Sequence, residues 1–263
     1  MNCSVLTVCY NSAATIQDTI ESVLSQDYPY LEYIIIDGGS TDGTLDIVNQ
    51  YKDRIAEVIS EQDDGIYDAM NKGIDAASGE IIGILNSDDF YGDSDAVSSI
   101  VHTFHESETD CVFADLVYVD HRDKNKIVRY YCSKNFRLKH FAFGHQPAHP
   151  TCFIKKECYT RFGNFKTDYQ ISADFELLAR FLWKHKISFA YLPKILVKMR
   201  TGGVSTKGFK STCILNLEIL RACRENGIKT NYLKIYSKYL FKILQLIQRP
   251  GKPTVPGLNQ KVT

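Results

Sequence analysis

The stretch G-E-I-I-G-I-L-N-S-D-D, residues 79–89, is the one whose reading decides the fold. Gly79 ends what precedes it, Ile81 to Leu85 form a near-continuous apolar run, and Asn86, Ser87, Asp88 and Asp89 follow at once. An apolar run this short, with no polar alternation, predicts a strand buried on both faces, as in a parallel sheet covered by helices. In such a sheet ligands bind beyond the C-terminal ends of the strands, where loops diverge and helix N-termini offer free N–H groups. Adjacent carboxylates at that position are solvated, cap the helix near Asp95, or bind a cation.

Working outward, the same alternation recurs. Ser4 to Tyr10 reads as a strand punctuated by Asn11 and Ser12, and Ile16, Ile20, Val23 and Leu24 then follow at helical spacing. Tyr33 to Ile36 is a second strand ending on Asp37, followed by a glycine-loosened turn and a helix marked by Leu45, Val48 and Tyr51. A third strand lies around Ile55 to Ile59; Asp63, Asp64 and Gly65 make a turn, and Ile66 to Ala77 is a helix. The fold class is therefore α/β, and Tyr10–Asn11, Asp37 and Asp88–Asp89 are expected to meet in one crevice. Beyond residue 92 we expect a helix over Val97 to His105, strands over Cys111 to Asp120 and Lys126 to Tyr131, and helices over Ser172 to Lys186, Phe209 to Arg224 and Tyr232 to Ile247. A frayed tail is expected over 250–263.

Across 263 residues, 44% apolar and 24% charged content suits one folded body. Lys+Arg and Asp+Glu balance at 31 each, which excludes the basic excess of a nucleic-acid protein. After Glu225, however, only basic charges occur: Lys229, Lys234, Lys238, Lys242, Arg249, Lys252 and Lys261. The eight cysteines contain no C-x-x-C and several sit in strand-like runs, predicting reduced thiols and a reducing compartment. With no signal-type segment and no window of ~18 uncharged apolar residues, a cytoplasmic protein is expected, with peripheral contact at the inner face of the membrane left open.

Hard oxygen ligands suit Mg²⁺ or Mn²⁺, ions that keep several waters and bridge to substrate phosphates, so one or two protein carboxylates suffice. Asp88–Asp89 supply that number. In D-G-G-S-T-D-G-T, residues 37–44, the acid spacing excludes an EF-hand. Neither a Walker loop nor G-x-G-x-x-G occurs in the chain. What remains is a strand-end carboxylate suited to accept hydrogen bonds from a base or ribose. His145, His149 and Cys152 invite a zinc reading, but Pro147 and Pro150 break the helix on which His145 and His149 would converge. A rigid loop over the site, with His149 as a polar contact, fits better.

T-V-C-Y-N at 7–11, I-I-D-G-G-S-T-D-G-T at 35–44, D-D-G-I-Y-D-A-M-N-K-G at 63–73, G-E-I-I-G-I-L-N-S-D-D at 79–89 and S-A-D-F-E-L at 172–177 together resemble the family 2 glycosyltransferases, in order and spacing, over roughly residues 1–205. The resemblance implies a GT-A fold: a mostly parallel sheet flanked by helices over 1–205, with a basic helical extension and tail over 206–263. It also implies inversion at the anomeric carbon and a UDP-sugar type of donor. By position it assigns Thr7 and Tyr10 to the nucleotide pocket, Asp37 to the base, Asp88 to the ribose, Asp89 to the metal and Asp174 to activation of the acceptor. Where the family often has Arg before the Asn of its third motif, Met70 precedes Asn71 here, and Lys72 is the candidate for the missing phosphate contact. Gly202-Gly203-Val204-Ser205 resembles a loop that closes over the donor.

The expected function is thus metal-dependent transfer of a sugar to an acceptor hydroxyl in cell-surface polysaccharide biosynthesis, with a saccharide acceptor that could be lipid-linked. Asp174 at the head of a helix has a plainer reading as a cap, worth about 0.3–1 kcal/mol. A nucleotidyltransferase would need a basic Gly-rich loop after the first strand, which Tyr10-Asn11-Ser12-Ala13 lacks; a non-catalytic binding module is the remaining alternative. A glycosidase could also use two carboxylates, but would need no nucleotide crevice. Leu233, Tyr236, Leu240, Ile243, Leu244 and Ile247 recur at helical spacing beside Lys234, Lys238 and Lys242. That helix either packs on the body or lies on an anionic membrane.

Overall fold

In a computed structural model, which describes residues 1–202 and 209–247, the strands join one sheet. Strand β1 (Cys3–Cys9) lies between β2 (Leu31–Asp37) and β4 (Ile81–Ile84), with β3 (Glu57–Ser60) outside β2 and every pairing parallel. The connections run through α1 (Ile16–Leu24), α2 (Thr44–Asn49) and α3 (Ile66–Ala76). This is the parallel half expected from the apolar runs. Its strands alternate between two cores: Leu6, Val8, Ile34 and Ile36 face α3, whereas Val5, Cys9, Tyr33 and Ile35 face α1. In α1 the buried positions Ile16, Ile20 and Val23 repeat once per turn.

Past β4 the sheet turns mixed. Strand β5 (Asp89–Tyr91) leads to α4 (Ala96–Ser107), and β6 (Cys111–Val119) is followed by β7 (Ile127–Tyr131), antiparallel to it. Strand β8 (Phe153–Lys155) pairs antiparallel with both β4 and β6, and β9 (Phe189–Arg200) runs parallel to β6 and antiparallel to β5. Strands β5 and β8 have three residues each, too few for a period to show in the sequence. Gly83 lets β8 approach β4: a Cβ there would lie 2.3 Å from the Phe153 ring.

Helix α5 (Lys156–Phe162) and α6 (Ala173–Leu178) follow β8, and α6 runs on into a wider π-helical turn over Ala179–Lys184, where an unbroken helix was expected. Helices α7 (Phe209–Glu225) and α8 (Tyr232–Ile247) are not a detached appendage, for Ile219, Leu220, Cys223 and Ile235 share a core with Phe141 and Phe175. All eight cysteines are free thiols. Among the described residues no helix is long and apolar enough to cross a membrane. Gly203, Val204 and Ser205 and the tail over 250–263 lie outside the described residues, as do the side chains expected on the far part of α8.

Candidate active site

The loops leaving β1, β3 and β4 open on a cavity of about 900 Å³, closed on its other side by β6, β7, the segment 144–150, the head of α6, and α7 with α8. Cross-links knit the strand-end loops together. The Asn11 N–H donates to Ser40 Oγ (2.8 Å), and Asn11, in the left-handed region at φ 49°, accepts at Oδ1 from the Thr41 N–H (2.9 Å). Ser12 and Ser87 hydroxyls meet at 2.8 Å, tying the first loop to the acidic one. Arg200, at the end of β9, donates to the Asp88 carbonyl (2.8 Å) and pairs with Asp18.

Of the residues singled out in the sequence, Tyr10, Asp88 and Asp174 line this cavity. Five do not. Thr7 is fully buried and accepts from the Tyr33 hydroxyl at 3.1 Å. Asp37, also fully buried, uses Oδ2 to accept from the Gly39 and Ser40 N–H groups (3.2 and 3.1 Å) and the Ser60 hydroxyl (2.8 Å). It shapes the loop rather than offering a face to a base. Asn71 exchanges both its amide bonds with the Phe165 backbone at 2.9 Å, clipping α3 to the segment before α6. Lys72 turns away to Glu61 (2.8 Å), Asp68 (3.4 Å) and the Gln62 carbonyl (2.9 Å), so it supplies no charge to the cavity.

The fifth concerns the two acids. Asp89 opens β5 and pairs with Met199, whereas Asp88 lies in the turn just before the strand. Asp88 is half-buried on the cavity wall; Asp89 is fully buried, and its carboxylate faces the Arg200 N–H and guanidinium without a well-formed hydrogen bond. It is not the solvated ligand expected. Burial raises the pKa of both, and the Asp88 charge pushes Asp89 further.

Among the described residues no three His, Cys, Asp or Glu side chains converge on one point. The oxygen donors lining the cavity after β4 include Asp88 and Asn86, whose buried Oδ1 lacks a partner. Such a set fits a hard divalent cation that retains water and is completed by substrate phosphates, not a protein-caged ion.

Asp174 is placed more firmly than a helix cap requires. Its Oδ2 accepts from Gln146 Nε2 at 2.7 Å, and Glu218 of α7 accepts from the N–H groups of Gln170, Ile171 and Ser172 (2.6, 2.9 and 2.9 Å), fixing the turn that delivers it. His149 lines the same wall; burial lowers its pKa, opposed by the Asp174 charge. Sequence reading passed over Asp63, Arg129, Gln146 and Lys238, all of which line the cavity. Asp63 stood inside the 63–73 motif and approaches Gly38 so closely that a Cβ there would lie 2.3 Å from its carboxylate. The other three sit in segments without a legible motif. Lys238, expected on a solvated basic stripe, is instead 3% exposed.

The family model described as "Glycosyl transferase family 2" matches residues 4–158. A PGL/p-HBAD biosynthesis glycosyltransferase of Mycobacterium bovis (strain BCG) is 30% identical over 186 residues, 67% of this chain and 68% of that one. Among solved structures, S. aureus TarS 1–349 in complex with UDP-GlcNAc matches with a TM-score of 0.67 at 18% identity, over 91% of this chain and 72% of that one. A mannosyltransferase from Pyrobaculum calidifontis in complex with GDP-Man and Mn²⁺ matches with a TM-score of 0.62 at 20% identity, over 84% and 64%. At these identities the structural likeness establishes the fold, which is GT-A.

Proposed function

The chain belongs to glycosyl transferase family 2, and from that premise we propose that it transfers a sugar from a nucleoside diphosphate sugar to an acceptor hydroxyl with inversion. The observation that carries the reading is that Asp88 and Asp174 line one cavity with the strand-end loops around Tyr10 and Asp63. Asp174, oriented by Gln146, takes the proton of the acceptor hydroxyl. The acceptor oxygen forms its bond to the anomeric carbon as the bond to the diphosphate breaks, and the electron pair leaves with the nucleotide. One displacement inverts the centre.

Asp88, with Asn86 beside it, would hold Mg²⁺ or Mn²⁺; when bound, the cation offsets the negative charge that grows on the departing diphosphate. Tyr10, which lines the cavity and is 65% exposed, would cover the base. A UDP-sugar is the donor we favour, and the two solved relatives in fold were crystallised with UDP-GlcNAc and GDP-Man, both nucleoside diphosphate sugars. The PGL/p-HBAD relative supports a role in building a surface glycoconjugate. Tyr232, Leu233 and Tyr236 stand exposed at 51, 83 and 47% on α8 beside exposed Lys234, a surface suited to an anionic membrane that presents a lipid-linked acceptor.

A panel of UDP- and GDP-sugars assayed for released nucleotide, alongside calorimetry with UDP and Mg²⁺ or Mn²⁺, tests the proposal. Asp88→Ala is expected to abolish transfer and metal-dependent UDP binding. Unchanged metal-dependent binding would remove Asp88 from the metal site, and no release from any donor would leave a binding module.

A further inference from the structure

Beside the carboxylates of Asp63, Asp88 and Asp174, the cavity wall presents the cation of Arg129. The Arg129 guanidinium lies 3.8 Å above the centre of the Tyr118 ring, and its Nε is buried without a hydrogen-bond partner. Beside it, Gln146 donates through Nε2 to Asp174, while its Oε1 is likewise buried and unpartnered. Arg129 and Tyr131 are two apart in β7 and so share a face, and the Tyr131 hydroxyl donates to the Gln146 carbonyl at 2.7 Å. A chain of contacts thus places Arg129 on the side of the base.

A buried N–H and a buried carbonyl left unpaired each cost free energy unless a ligand satisfies them. The guanidinium lies against Tyr118, which also draws on it electrostatically, yet its buried Nε has no partner, and a guanidinium is a fork matched to carboxylate or phosphate. We infer that Arg129 and Gln146 form an acceptor subsite for an anionic group, a carboxylate or a phosphate carried by the acceptor near the hydroxyl that Asp174 deprotonates. Gln146 Oε1 accepts from a hydroxyl of the same acceptor. The inference rests on the transferase reading given above.

The test uses the full chain saturated with UDP and Mg²⁺, titrated calorimetrically with methyl glucoside, methyl glucuronide and methyl glucoside 6-phosphate, which differ only in the group at C6. At least one anionic sugar is expected to bind about tenfold more tightly than the neutral one, as a charge-assisted fork implies. Arg129→Gln is expected to erase that preference and Arg129→Lys to keep part of it, both with UDP affinity unchanged, which also reports that the variants are folded. Preference for the glucuronide assigns a uronic acid, and preference for the phosphate a phosphorylated acceptor. Absence of any preference in the wild-type protein, including no measurable binding of all three, overturns the subsite. So does an Arg129→Gln variant that loses UDP affinity in step, which would give Arg129 to the donor diphosphate. Failure of the transferase reading would look different: no nucleotide release from any donor sugar, with the anion preference intact.

Discussion

Replacing Asp89 by asparagine is expected to stabilise the unliganded protein at neutral pH. Its carboxylate is fully buried, neither oxygen has a well-formed hydrogen bond, and burial together with the Asp88 charge outweighs the opposing pull of the Arg200 N–H and guanidinium. The amide keeps the size and removes the charge. The amide is itself polar and stays unsatisfied, so the gain is only the excess that a charge costs over a neutral group, on the order of 1 kcal/mol. For a chain of this length it amounts to a few degrees in melting temperature. The pH dependence follows from linkage: because the folded protein holds the Asp89 proton more tightly than the unfolded chain does, the stability contributed by Asp89 is fully present below the ordinary carboxylate pKa of ~4 and is lost as pH rises through the elevated folded value. The advantage of the variant is therefore widest at neutral pH and closes toward pH ~4. Denaturant melts of both proteins at several pH values, with chelator present, read it directly. A variant less stable than wild type at neutral pH would refute the reasoning and show that the buried carboxylate has a partner.

Asp174→Asn is expected to leave UDP affinity unchanged and to lower turnover by at least the ~10² that a positioned base contributes; turnover near wild type in a nucleotide-release assay would reduce Asp174 to a helix cap. Gly83→Ala forces a methyl against the Phe153 ring, at 2.3 Å before relaxation, and is expected to cost ~1–3 kcal/mol by overpacking, measured as a shifted denaturation midpoint at constant slope. Leu233→Glu with Tyr236→Glu, on the exposed face of α8, is expected to abolish co-sedimentation with anionic liposomes and leave the melting temperature within a few degrees; equal sedimentation of variant and wild type would remove that face from membrane binding.

The α/β class and the meeting of the strand-end loops were legible because burial on both faces leaves apolar runs that no exposed strand tolerates, and because glycines and acids punctuate those runs at fixed places. Tyr10 and Asp88, which line the cavity, stand at the ends of such runs, whereas Asp174 was singled out only by the family resemblance. The different burial of Asp88 and Asp89 was not legible, since Asp89 enters β5, which forms by pairing with β9, and Asp88 stays in the turn before it. Likewise the charge of Lys72 was visible but its direction was not, for that depends on Glu61 and Asp68. Arg129 and Gln146 carry no local pattern; they become neighbours of Asp174 when β7 folds back on β6. Local sequence sets which residues can form a strand, a turn or a helix face, whereas which side chains share one cavity depends on contacts between residues far apart in the chain, and those only the folded sheet brings together.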